Sequence, residues 1–234
     1  MKRLWAIVVS LGAAGFALSS PFLLASIRAA RLPVAPAVAL ALQFAQTLAL
    51  LAVAAYGGAR LCASVGLDAP WLRALAEKRE RPVGFASMAI EALAAGSVAA
   101  IAARAIVPLS VWKPIQAGFW TRMSGAFYGG TVEEILVRFG LLTALMVLFR
   151  RVGLHGFWPA NLVAALVFGA LHLPVLRLSG IPLTAGAIIA IIAGNTVVGL
   201  TFGWLYRRRG LEAAMLAHGA ADVWLQGFLP ALLA

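Results

Sequence analysis

The chain has 234 residues, of which 63% are hydrophobic and 12% charged, and it carries a formal net charge of +11. A soluble domain has about 45–50% apolar and about 25% charged residues, so this composition excludes a soluble single domain. The positive charge lies mainly in short connections between apolar runs, where arginine and lysine set membrane topology. It therefore does not indicate a nucleic-acid partner.

Seven apolar runs follow one another along the chain, and each is long enough to cross a bilayer, which takes about 20 residues. They cover residues 5–27, 35–57, 84–109, 126–149, 158–176, 181–206 and 211–233. We predict an all-α, polytopic transmembrane helix bundle of about seven to eight membrane helices with a buried polar cavity. No linker, low-complexity tract or repeat divides the chain. We therefore expect one integral-membrane domain over residues 1–234, with N-terminal helices in 1–110 and a motif-bearing core in 124–230.

The first apolar run follows Lys2 and Arg3, which is also how a secretory signal peptide begins. A signal peptide has an apolar stretch of only about 7–15 residues, so we expect a retained first helix instead. Between the second and third runs, the charged segment 60–82 predicts a short amphipathic helix on the membrane surface. Cys62 is the only cysteine, which excludes an intramolecular disulfide and a cysteine-based metal cluster.

Basic residues are distributed unevenly between the two sides of the predicted bundle. If the runs alternate in direction, twelve of the 19 lysines and arginines share the side of the N-terminus, and six lie on the other side. The positive-inside rule then predicts a cytoplasmic N-terminus, and the short loops favour a bacterial-type inner membrane. The twelve are Lys2, Arg3, Arg60, Arg73, Lys78, Arg79, Arg81, Arg150, Arg151, Arg207, Arg208 and Arg209; the six are Arg28, Arg31, Arg104, Lys113, Arg122 and Arg177.

A few ionisable side chains interrupt the apolar runs. Such residues are costly at membrane depth and usually face a bundle interior or a water-filled cavity. Glu134 and Arg138 are four residues apart, so they share a helix face and can pair, whereas Glu133 is turned about 100° away from Glu134. One carboxylate can therefore be structural while its neighbour is chemical. The full set is Glu91, Glu133, Glu134, Arg138, His172, His218 and Asp222.

Two further pairs repeat this four-residue spacing. Phe168 and His172 share one helix face just before Pro174, which ends or kinks the helix. His218 and Asp222 in the last run also point the same way. We expect the polar residues of these three helices to converge on one water-containing cavity, as an active site inside a membrane requires.

Three motifs in the second half of the chain, EEILVR, FGALH and HGAAD, resemble those of the CPBP family of intramembrane proteases. This family includes the Rce1-type CAAX prenyl endopeptidases and bacteriocin-processing relatives. The motifs match Glu-Glu-x-x-x-Arg, Phe-x-x-x-His and His-x-x-x-Asn/Asp in the family's order, over about residues 126–228. The resemblance implies an intramembrane endopeptidase that acts on a protein or peptide substrate within the lipid bilayer, with CAAX-type processing of prenylated proteins as a hypothesis by analogy.

The resemblance also implies a role for each motif residue. Glu133 would be the general base that activates a water, with His172 as its partner in holding that water. His218 and Asp222 would bind the carbonyl oxygen as it gains negative charge. The structural and orienting residues would be Glu134, Arg138 and Phe168.

The chain departs from the commoner family pattern at Asp222, where the prenyl endopeptidases usually carry asparagine. An ionised aspartate cannot donate to an oxyanion, so Asp222 must be protonated, orient His218 or ligate a metal. Glu133, His172 and His218 are possible zinc ligands, and metal-independent water activation is equally compatible with the sequence. The motif His-Glu-x-x-His is absent, which argues against the site-2 type of intramembrane protease.

Two other function classes fit the same residues. A proton-coupled transporter also buries glutamate, histidine and aspartate in a helix bundle, but the two halves of the chain show no pseudo-symmetry. A non-catalytic membrane immunity or scaffold relative would keep the helices and could lose motif members. Glu91 and Asn195 belong to no motif, and we assign them no role from the sequence. All the motif positions are filled, which favours the protease.

Overall fold

The computed structural model describes residues 1–112 and 115–232, and within these ranges the chain forms helices and no strands. The all-α fold predicted from hydropathy is confirmed. Lys113, which we counted for the topology, and Leu233, which ends the last predicted run, lie outside the described residues.

The first half of the chain forms three long helices and one short one. Pro36 starts the second long helix, where its fixed φ and missing N–H suit a first turn. The short helix is the amphipathic segment expected between the second and third runs. The bounds are α1 (Lys2–Ala29), α2 (Pro36–Leu61), α3 (Pro70–Glu77) and α4 (Phe85–Ile106).

The second half contains α-helices and three π-helical segments. α5 (Phe119–Met123) and α6 (Gly125–Phe127) lead into π segments Tyr128–Glu133 and Ile135–Leu142 and then α7 (Thr143–Arg151). Then come α8 (Phe157–Leu171), α9 (Leu173–Leu178), α10 (Ala185–Arg209), α11 (Leu211–Asp222), a third π segment (Val223–Phe228) and α12 (Leu229–Leu232). We call the helical run of residues 125–151 the motif helix, and the run of residues 211–232 the last helix.

Five helices within the described residues are long and apolar enough to cross a membrane: α1, α2, α4, α8 with α9, and α10. The motif helix and the last helix correspond to the other two predicted runs, and they carry most of the charged motif residues. The protein is thus an integral-membrane helix bundle. The charged motif residues Glu133, Glu134, Arg138 and Asp222 all lie in these two helices.

The core of the bundle surrounds the motif helix. Ile135, Phe139 and Leu142 on this helix are completely buried. α1, α2, α8, α10 and α11 all pack against parts of the motif helix, so its polar residues lie inside the bundle and not towards lipid.

Contacts between distant parts of the chain define one end of the bundle. Arg60 Nη1 lies 3.6 Å from Met1 Sδ, and Arg150 donates a hydrogen bond to the carbonyl of Ser64 at 2.9 Å. The start of α1, the end of α2 and the end of the motif helix therefore lie together. We call this the basic end, because it holds these arginines.

Another set of contacts defines the opposite end. The backbone N–H of Phe22 donates to Ser124 Oγ at 3.2 Å, and Arg122 Nε donates to the carbonyl of Gln226 at 2.8 Å. The late part of α1, the start of the motif helix and the late part of the last helix therefore lie together. α1 therefore runs from the basic end to this end, and the motif helix runs in the opposite direction.

The closest approach of α4 to α11 occurs at Gly96. A Cβ placed on Gly96 would lie only 2.1 Å from the carbonyl oxygen of Ala217, the residue before His218. Small residues let membrane helices approach closely and pack their backbones together. Gly96 therefore sets the distance between α4 and the helix that carries His218.

We expect Gly96→Ala to lower stability by about 1–3 kcal/mol, because the new methyl group forces α4 away from α11. Gly57→Ala is the matched control, since a Cβ there meets nothing within 4 Å and alanine favours the helix. Thermal unfolding of both variants in detergent micelles measures the difference. Equal unfolding midpoints for the two variants would show that this contact does not limit the packing.

Candidate active site

The motif helix places its two adjacent glutamates in different surroundings. Glu134 is fully buried, whereas the side chain of Glu133 is 25% exposed. Glu133 ends one π segment, and the next π segment begins directly after Glu134. Such turns are rare and are frequent at functional sites. The two carboxylates can therefore make different contacts although they are neighbours in sequence.

Glu134 and Arg138 form an ion pair in the interior of the bundle. Glu134 Oε1 lies 3.1 Å from Arg138 Nη1, without the alignment of a hydrogen bond, and neither side chain is more than 1% exposed. A buried charge needs a partner of opposite sign, since transferring a lone ion out of water is very unfavourable. The contact that the four-residue spacing indicates is present in the structure.

Arg138 also joins the motif helix to two neighbouring helices. Its Nη2 donates a hydrogen bond to the carbonyl of Gly199 in α10 at 3.0 Å. The guanidinium carbon lies 4.7 Å from the ring centroid of Phe168 in α8 and 5.3 Å from that of Phe202 in α10. Cation–π contacts stabilise a cation that has lost its water. One arginine thus fixes three helices relative to one another.

Glu134 contacts His218 in addition to Arg138, and it orients the imidazole ring. His218 Nδ1 lies 2.7 Å from Glu134 Oε1, and because a carboxylate only accepts, Nδ1–H is the donor. The imidazole stacks on Phe202, with ring centroids 4.6 Å apart, and meets Phe168 edge-on at 5.6 Å. The bond at Nδ1 and the two aromatic rings together fix the direction of Nε2. The sequence did not predict that Glu134 would hold this histidine.

Nε2 of His218 faces two further carboxylates. It lies 3.6 Å from Glu133 Oε2 and 3.8 Å from Asp222 Oδ2. Both distances exceed a direct hydrogen bond, which joins nitrogen and oxygen at about 2.7–3.2 Å. A single oxygen atom, of a water or of a substrate carbonyl, can bridge either pair. Motif residues from two separate helices therefore converge on one space.

His172 lies at the break between α8 and α9, beside the converged residues. Its Nδ1 is 2.8 Å from the carbonyl oxygen of Phe168, so Nδ1–H donates, and in the neutral imidazole Nε2 is then the acceptor. The ring of Phe168 contacts both histidines, with centroids 4.7 Å from His172 and 5.6 Å from His218. Within the described residues no hydrogen bond or ion pair joins His172 to Glu133 or His218. Phe168 is the physical link between them.

Gly129 forms part of the wall of this space. A Cβ placed on Gly129 would lie 2.0 Å from Asp222 Oδ2 and 2.8 Å from His218 Nε2. Only the absence of a side chain lets the backbone of the motif helix approach these two groups. Gly129 was missed by the sequence reasoning, although its position one turn before Glu133 was a usable signal.

Two other polar residues inside the apolar runs lie outside the site. Glu91 binds Arg208 at 2.6 Å and Arg209 at 2.5 Å, and so ties α4 to the end of α10 at the basic end. Asn195 donates to the carbonyl of Ile191 in its own helix at 2.9 Å. Both contacts are structural in the described residues.

The possible zinc ligands are not arranged for a metal ion. Within residues 1–112 and 115–232, no three side chains of histidine, cysteine, aspartate or glutamate form a group that could hold a metal. Glu134 occupies Nδ1 of His218 but leaves Nε2 open, and within the described residues no hydrogen bond or ion pair joins His172 to Glu133 or His218. A zinc site needs three or four donors at about 2.0–2.3 Å from one point. The residues as placed do not fit this requirement.

The site holds a partly exposed carboxylate beside an oriented histidine, inside a lipid-spanning bundle, and general acid–base chemistry needs groups of this kind. Residues 115–224 match the family model described as type II CAAX prenyl endopeptidase Rce1-like, a family of proteases. This match covers the region of the three motifs and supports their resemblance to the CPBP family of intramembrane proteases. No curated protein and no solved structure matches the chain significantly.

Removing Arg138 should destabilise the bundle strongly. Arg138→Met leaves Glu134 buried without an opposite charge, which costs about 3–5 kcal/mol, while Arg138→Met with Glu134→Gln removes both charges and costs less. Arg177→Met, at an exposed arginine, is the control. Unfolding midpoints in detergent give the comparison. If Arg138→Met unfolds at the same temperature as Arg177→Met, the pair does not carry the stability that its burial implies.

Proposed function

We propose that the protein hydrolyses a peptide bond with a water that Glu133 activates. The observation that supports this role is the division between the two glutamates. Glu134 is committed to Arg138 and His218, whereas Glu133 is partly exposed and has no arginine partner among the described residues. A general base must reach a water and be free to take its proton, and the partial exposure of Glu133 supports this role.

The attacking water forms its bond to the carbonyl carbon while Glu133 takes its proton, and Glu133 then delivers that proton to the departing amine. His172 is suited to hold the same water, because its Nδ1–H is used by Phe168 and its Nε2 lone pair can accept a hydrogen bond. Of the two groups, Glu133 faces the space beside His218, with its Oε2 3.6 Å from Nε2. The roles are those that the family motifs imply.

The carbonyl oxygen becomes negative as the water adds, and His218 is placed to bind it. Nε2–H donates to this oxygen when the ring is doubly protonated, and the carboxylate of Glu134 at Nδ1 stabilises the positive ring. Such a donor is effective because it is already oriented before the reaction. Glu134 therefore acts through His218 and not on the substrate.

Asp222 completes the site as a neutral acid that donates a second hydrogen bond. If all three carboxylates were ionised, they would outnumber the charges of Arg138 and His218 by one. A proton on Asp222 balances the buried charges and turns its carboxyl group into a donor. Of the three roles left open for Asp222, the balance of charge supports the protonated donor.

The substrate class that the family supports is a CAAX-type protein tail, and we propose a prenylated tail in preference to a free peptide. The site lies among helices that face lipid, and a prenyl chain would bring a peptide to that depth. A bacteriocin-like peptide is the alternative substrate. We also propose that the N-terminus is cytoplasmic, in a bacterial-type inner membrane. The contacts at the basic end support this orientation, because they place arginines at the same end as the N-terminus and the positive-inside rule assigns such an end to the cytoplasm.

Glu133→Gln should lower kcat by about 10²–10⁴-fold, because glutamine keeps the shape of the side chain but cannot take a proton. Glu91→Gln is the matched control at an ion pair remote from the site. The assay follows cleavage of farnesylated and unmodified CAAX peptides by purified protein in liposomes, with and without a chelator. Unchanged turnover in Glu133→Gln would show that Glu133 is not the base. Loss of turnover with chelator would show that a metal ion activates the water.

Asp222→Asn should stay within about tenfold of the parent, because the amide still donates, while Asp222→Leu should lose about 10²–10³-fold in kcat. The same cleavage assay measures both. An inactive Asp222→Asn variant that remains folded would mean that the carboxylate itself is needed, either to orient His218 or to bind a metal.

A further inference from the structure

We propose that Arg122 is a positioning residue that holds Asp222 in place through the π segment that follows it. This inference rests on the proposed function, because it assigns Arg122 to the same site. Arg122 entered the sequence analysis only as one of six basic residues on the less basic side. In the structure its guanidinium is partly buried and donates two hydrogen bonds to backbone carbonyls.

The first argument is a missing backbone donor. Residue 230 is proline and has no N–H, so the turn that follows Gln226 lacks one backbone donor. Where the helix continues as an α-helix, as it does in α12, this donor would serve the carbonyl of residue 226. Arg122 Nε donates to the carbonyl of Gln226 at 2.8 Å. The side chain thus adds a donor to a turn in which the sequence has removed one.

The second argument is the position of this carbonyl relative to the site. The π segment Val223–Phe228 begins at the residue directly after Asp222, and Gln226 lies inside it. Asp222 has little room to move, since a Cβ on Gly129 would already lie 2.0 Å from Oδ2. A change in the turn after Asp222 therefore changes the distance between Oδ2 and His218, now 3.8 Å.

The third argument is what Arg122 connects. Its Nη1 donates to the carbonyl of Ala117 at 2.8 Å, so it holds the segment that leads into the motif helix. Nearby, the rings of Phe119 and Phe228 lie 6.1 Å apart, and a Cβ on Gly227 would reach Met123 Cε at 2.1 Å. Arg122 therefore joins the beginning of the helix of Glu133 to the helix of Asp222.

The test is a double-mutant cycle between Arg122 and Pro230. Arg122→Gln should lower kcat by about 10–100-fold with little change in KM, because misplacing a reacting group by about 1 Å has an effect of this size. Pro230→Ala, which restores the N–H of residue 230, should be close to the parent alone and should recover much of the lost kcat when combined with Arg122→Gln. Arg122→Lys, which keeps a donor, should fall between. Arg177→Gln, at an exposed arginine, is the control.

Thermal unfolding of the same variants in detergent separates this inference from the proposed function. Non-additive unfolding midpoints for the two substitutions would support the Arg122–Gln226 contact even in a protein that cleaves nothing. A parent without cleavage would overturn the proposed function, and the positioning role with it. If the parent cleaves and Pro230→Ala restores neither kcat nor stability to Arg122→Gln, the replacement of the backbone donor by Arg122 is wrong.

Discussion

The structure depends on one carboxylate that has no access to water. Glu134 is held between Arg138 and His218, and a charge at this depth is tolerable only while both partners stay in place. Arg138 in turn contacts Phe168 and reaches α10, so the requirement to neutralise one buried charge fixes the relative positions of three helices. Lipid supplies no hydrophobic force between helices. Buried ion pairs and hydrogen bonds therefore contribute more to helix association here than they do in a soluble core.

Two adjacent glutamates allow a short piece of helix to do two jobs. Neighbouring positions leave a helix in different directions, so Glu134 can lie in the interior while Glu133 stays partly exposed. Glu134 orients His218, and Glu133, the proposed base, lies 3.6 Å from Nε2 of the same histidine. Stability and chemistry are therefore coupled through His218, because the interaction that keeps the motif helix in the bundle also sets the direction of Nε2.

Hydropathy was sufficient to predict the helical membrane bundle, and the rarity of charge inside it was sufficient to find Glu134, Arg138 and His218. A long apolar run inside a membrane has few alternatives to a helix. An ionisable residue at that depth is costly, so its presence indicates a partner or a function. The π turns, the approach of Gly129 to Asp222 and the bond from Arg122 to the last helix were not predictable. Each depends on distances between segments that are remote in sequence, and a single sequence contains no record of such distances. The spacing of residues along a helix shows which of them share a face, but it does not show which other helices that face contacts.

The two ends of the bundle are fastened by different chemistry. At the basic end, Glu91 forms ion pairs with Arg208 and Arg209, and these side chains are partly exposed. At the opposite end, Arg122 donates hydrogen bonds to neutral carbonyl groups. Dissolved ions weaken exposed ion pairs much more than they weaken hydrogen bonds to carbonyl groups. Ionic strength and charged lipid headgroups therefore affect how closely α4 and α10 pack at one membrane surface, while the hydrogen bonds of Arg122 are little affected.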